Sequence, residues 1–156
     1  MEFQTAANQI DKNLLAQKQL KVWPGKLLNC DVLKIYKDAW ANPSKDPVTS
    51  PSRIFFSIWV DPDNKHQLFY NIHALKLRQL KGFKIESRKF AETFRKEFKP
   101  FSHKWENVST DFGPLTLMQG FVTLEQKTFL HEVLKLSNNF LGIEHLIDQT
   151  LDRFKH

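Results

Sequence analysis

The chain has 156 residues, 41% of them hydrophobic, with 14 Phe and 4 Trp, so it can bury a core and is too aromatic for disorder. Its one cysteine, Cys30, excludes an internal disulfide and a multi-cysteine zinc site, which fits a reducing compartment. The net charge of +6 is uneven: residues 65–104 hold 11 Lys/Arg against 3 Asp/Glu, and residues 105–156 hold 4 against 7.

In chain order, residues 1–20 mix Glu2, Gln4, Asn8, Asp11 and Lys12 with apolar positions, the wrong pattern for a signal-peptide core. Residues 5–21 instead suit a helix capped by Thr5, with Ile10 and Leu14 near one face and Val22 following on it. Trp23, Pro24 and Gly25 are expected to end it. A second helix is expected from Asn29 or Asp31 to Trp40, with Leu33, Tyr36 and Trp40 on one side. Pro43, Pro47 and Pro51 then argue for an extended connector over 42–52.

Residues 53–60 are β-branched and aromatic, with Ile54, Phe56, Ile58 and Val60 facing one way. Pro62 and its Asp and Asn neighbours form a turn. Residues 66–73 alternate again, with Leu68, Tyr70 and Ile72 opposite Phe69, Asn71 and His73, which completes a β-hairpin. This longest apolar run, 54–60 broken by Ser57, is far short of the roughly 20 residues of a membrane span.

Residues 74–81 fit either a continued strand or a short helix. A helix is expected from Ser87 to Phe98, with Phe90, Ala91, Phe94 and Phe98 forming its apolar stripe. Residues 101–111 read as a loop and 112–114 as a turn. Residues 115–122 read as a third strand, with Gly120 marking a bulge. Thr123 and Gln126 match a capping box for a helix reaching Ser137, and a terminal helix follows over 143–154. The expected whole is one α+β domain over residues 1–156, its mainly antiparallel sheet (hairpin 53–73 plus a strand near 115–122) packed by several helices.

No specific chemistry stands out. Gly25, Gly82, Gly113, Gly120 and Gly142 form no phosphate-binding loop, and the six histidines show no i, i+4 ligand pair. No metal or cofactor is therefore expected, and no catalytic residue is assigned. Cys30 beside Asp31 would have a lowered thiol pKa if it stood at a helix start, although a lone cysteine among apolar neighbours is more often a small buried residue.

The charge cluster points to a partner. Lys76, Arg78, Lys81, Lys84, Arg88, Lys89, Arg95 and Lys96 form a candidate surface for nucleic acid or another polyanion. Charge reversal at Arg88, Lys89 and Lys96 is the direct test of it. Phe55, Trp59 and Phe69 are candidates for stacking on bases. A second class of reading is a small-ligand site or small enzyme lined by Trp59, Phe69, Asn71 and His73. A third is self-association through Trp59, Phe69 or the C-terminal helix. A non-enzymatic binding module in the cytoplasm, without membrane contact, is the leading expectation.

Overall fold

The computed structural model describes residues 2–43 and 47–156. Five strands form one antiparallel sheet in sequence order: β1 (Lys21–Leu27), β2 (Cys30–Tyr36), β3 (Arg53–Asp61), β4 (Asn64–Leu75) and β5 (Thr116–Thr123). The helices are α1 (Glu2–Gln9), α2 (Lys12–Gln17), α3 (Ser87–Phe98), α4 (Phe129–Leu141) and α5 (Glu144–Asp152). The fold is α+β, with the hairpin and third strand where the alternation placed them.

The sheet's first two strands overturn the sequence reading. Residues 21–36 form a hairpin, pairing Lys21 with Tyr36 through to Leu27 with Cys30. Pro24, expected to end a helix, lies inside β1; proline is tolerated there because β1 is an edge strand and one side of it needs no donor. The helix expected over 29/31–40 is β2 because both its faces are buried: Leu33 and Ile35 on one, Val32 on the other. That demand for period two outweighs the helical spacing of Leu33, Tyr36 and Trp40. Cys30 therefore opens a strand, and the helix-dipole argument for its thiol falls.

Other boundaries shift for local reasons. The single helix expected over 5–21 is two, because Asp11 caps α2 with bonds from Asn13 and Leu14 N–H at 2.9 and 3.2 Å. Ser87 is the first residue of α3, and Glu86 holds the cap position. The expected capping box at Thr123 and Gln126 does not form; 3-10 turns of Gln126–Thr128 lead into α4, which runs past Ser137 to Leu141. Residues 77–79 and 99–104, left ambiguous or read as loop, are 3-10 turns, as are 47–49 in the proline-rich connector. Residues 44–46 of that connector lie outside the described residues.

One face of the sheet meets the helices. Ile54, Phe56 and Ile58 of β3, Leu33 and Ile35 of β2, and Leu68, Tyr70 and Ile72 of β4 are buried there. Phe56 stacks on Phe140 of α4 at 4.5 Å and meets Trp105 edge-on at 5.8 Å, while Phe98 of α3 reaches Trp105 at 6.4 Å. The Phe90, Phe94 and Phe98 stripe is fully buried, as its spacing predicts. Gly120 lies in regular register opposite Tyr70; the irregularity falls beyond the next two pairs, between Ile72 and His73. Glycine is required at 120 because a Cβ would stand 2.3 Å from the Tyr70 hydroxyl, which crosses it to donate to the Glu106 carbonyl at 2.7 Å.

A part-buried ion cluster, with Lys37 and Glu144 at its buried centre, closes the end of β2 against α5. Lys37 Nζ lies 2.7 Å from Glu144 and 2.5 Å from Asp148, Lys18 reaches Glu144 at 3.1 Å, and Trp40 donates to Asp148 at 2.8 Å. Burial works to lower the Lys37 pKa, but its hydrogen bonds to Asp148 and Glu144 outweigh that and hold it above the ordinary value. Among the described residues, no helix is long and apolar enough to cross a membrane.

Candidate binding face of the sheet

The second face of the sheet faces away from the helices, although Val32, Lys34, Phe55, Ser57 and Asn71 on it are buried, and strand register arranges it in rows. Antiparallel partners share a face. Val32, Trp59, Phe69 and Phe121 therefore form one row, and Trp23, Lys34, Ser57, Asn71 and Gln119 the next. Phe55, His73 and Thr116 form a third. An aromatic row thus borders a polar one.

The polar row is bonded within itself. Ser57 Oγ donates to Asn71 Oδ1 at 2.7 Å, and Asn71 Nδ2 donates to Gln119 Oε1 at 3.1 Å. Asn71 Nδ2 also lies 2.9 Å from His73 Nε2. With its oxygen taken by Ser57, Asn71 presents a donor, so His73 Nε2 accepts and the ring proton sits on Nδ1. Burial lowers the His73 pKa; the Leu115 carbonyl opposes this, and Lys34 and Arg53 add to the lowering. The ring is neutral at pH 7.

Cations and aromatics meet at the far end of the face. Lys34 Nζ lies 4.4 Å from the Phe55 centroid and 5.6 Å from that of Trp23, and the Arg53 guanidinium lies 5.1 Å from Phe55. Trp23 folds back along its own strand over Gly25, where a Cβ would come within 2.3 Å of the indole. Buried Val48, from the 3-10 turn within the connector, helps enclose Lys34, Tyr36, Arg53 and Phe55. The aromatic row is open by comparison. Trp59 stacks on Phe69 at 5.6 Å with rings 20° apart, Phe121 follows at 6.3 Å, and all three are half-buried.

Of the two sets singled out by sequence, one is brought together. Trp59, Phe69, Asn71 and His73 share this face. None of them lines the ligand-sized cleft of about 690 Å³, which opens elsewhere, at the turn end of the sheet. The eight basic residues are divided. Lys76 and Arg78 are exposed just beyond β4, and Lys81 and Lys84 lie in a segment whose backbone bonds Asn42 and Phe154. Arg88, Lys89 and Lys96 are exposed on α3, with Lys89 3.6 Å from Glu86. The apolar stripe of α3 packs toward the covered sheet face, so these three point away from the aromatic row.

Arg95 serves the fold. It donates to the carbonyls of Leu117, Phe112, Gly113 and Thr116 at 2.9 to 3.1 Å, pinning the preceding loop and the start of β5 together. Sequence reasoning also missed Phe121, Gln119, Lys34 and Trp23. Their signal was period-two alternation in β5, β2 and β1, legible for β5 but hidden in β2 by the helix reading and in β1 by reading residues 23–25 as a helix stop. Among the described residues, no group of three His, Cys, Asp or Glu is placed to hold a metal ion. No protein-family model, curated protein or solved structure matches this chain.

Proposed function

We propose that this protein binds single-stranded nucleic acid on the open face of its sheet, with bases stacked on the Trp59, Phe69 and Phe121 row. The observation that carries the reading is the near-parallel Trp59–Phe69 pair with Phe121 tilted 53° beside it, all three half-buried on a face turned away from the helices. Stacking on such platforms tolerates any base and contributes about 1–3 kcal/mol per base. Lys76 and Arg78, just past the last residue of β4, add positive charge at the other end of the face. The six residue steps of strand from Phe69 to Leu75 correspond to about 20 Å, a span of a few nucleotides. The net charge of +6 favours a polyanion.

The exposed Arg88, Lys89 and Lys96 support a second contact surface on α3, on the other side of the molecule. Fluorescence anisotropy of labelled single-stranded DNA and RNA at two salt concentrations separates the two. Expected is salt-sensitive binding that weakens roughly 5- to 150-fold in Trp59→Ala, from the stacking energy above, and survives charge reversal at Arg88, Lys89 and Lys96. The opposite pattern moves the contact to α3. No binding at low salt overturns the function.

A further inference from the structure

The turn end of the sheet carries a projection and a cleft side by side. In the β1–β2 turn, Leu28 and Asn29 both have positive φ, 48° and 66°. Such two-residue turns favour Asn, Asp and Gly, and a leucine there costs roughly 1–2 kcal/mol. Leu28 is nonetheless 97% exposed, and Leu27 beside it 44% exposed. A strained, fully exposed leucine at a hairpin tip suits a contact made outside the chain.

The cleft of about 690 Å³ begins next to that tip, since Asn29 and Asp31 are part of its wall. Phe3, Val60, Leu124 and Phe129 give it an apolar floor. Glu2, Asp31 and Glu125 give it three carboxylates, against Lys65 and His66. Exposed Lys26 immediately precedes the leucine pair. Apolar tip and apolar floor thus match, and so do the flanking charges.

We propose that the cleft receives the Lys26, Leu27 and Leu28 tip of a second copy of this chain. Tip and cleft adjoin, so a two-fold axis between them seats each tip in the other copy's cleft, the self-complementary arrangement of a symmetric dimer. Leu28 fills the partner's apolar floor and Lys26 faces its carboxylates. An anionic membrane is the other surface an exposed leucine tip fits, but the three carboxylates beside it would oppose anionic headgroups.

Sedimentation velocity across a concentration series up to about 100 µM reads the dimer directly. Expected is a concentration-dependent dimer whose Kd rises on the order of tenfold or more in Leu28→Asp and in Glu125→Lys. The double variant Lys26→Glu with Glu125→Lys should recover much of the loss, because the charges are exchanged. Leu28→Gly should weaken the dimer while raising the melting temperature of the monomer, because glycine accepts the positive φ. A wild-type monomer at the highest concentration overturns the proposal, and so does a dimer indifferent to Leu28→Asp. Leu28-dependent pelleting with phosphatidylserine vesicles by a monomeric protein would replace the second copy with a membrane.

Discussion

The two faces of the sheet are built from the same strands and differ in what their side chains are asked to do. On the covered face, Phe56 lies between Phe140 and Trp105, and Tyr70, Ile58 and Ile72 are completely buried. On the second face, neighbouring residues of β3 and β4 hold a buried, self-bonded polar row beside rings that are only half-buried. Stability should therefore reside on one face and recognition on the other. Alternation along a strand makes that division possible, because adjacent residues belong to different environments.

The sharpest way to break the comparison is to truncate one ring on each face. Phe56→Ala should cost about 3–5 kcal/mol in chemical denaturation, since a large fully buried ring leaves a cavity. Trp59→Ala, three residues along, should cost clearly less while weakening nucleic-acid binding. Equal losses of stability would mean that the open face is core.

Next in size is the ion cluster. Among the described residues, Lys37→Ala leaves Glu144, 4% exposed, with only Lys18 as a close counter-charge. Removing one member of a buried pair costs on the order of 3 kcal/mol, and urea denaturation at pH 7 should show a loss of that order. A loss well below 1 kcal/mol would show that water enters the site freely.

The smallest effect is a pH slope from the open face. The folded His73 pKa lies below its ordinary 6.5, so the unfolded chain takes up this proton first as pH falls. The His73 contribution to stability is thus intact above pH 6.5 and declines as pH drops toward the folded pKa. A proton on Nε2 would also face the Asn71 amide donor. Denaturation at pH 7.5 and pH 5 should show a smaller drop in His73→Gln than in the parent protein. Identical drops would place the pH dependence elsewhere.

Legibility in the sequence followed locality. The β3–β4 hairpin was readable because alternation and turn residues agree within one short segment, and its Asx turn forms as expected, Asp63 N–H donating to Asp61 at 2.9 Å. The α3 stripe was readable for the same reason. The β1–β2 hairpin was not, since Leu28 and Asn29 make an unusual turn and Pro24 reads as a breaker unless the strand is known to be an edge. At the candidate site, Trp59, Phe69, Asn71 and His73 could be grouped by period alone. Lys34 and Trp23 could not, because their strands, β2 and β1, were both misread.

By itself the sequence determined the α+β class, the central hairpin, the buried stripe of α3 and the position of β5, all set by side-chain periodicity and local turn chemistry. The tertiary structure decided what periodicity cannot carry. Burial on both faces made β2 a strand, and four carbonyls, two in the loop before β5 and two in β5 itself, made Arg95 a structural residue. Packing of α3 onto the covered face separated its exposed cations from the aromatic row. Each of these depends on contacts between segments distant in the chain, and such contacts leave no spacing in the sequence to read.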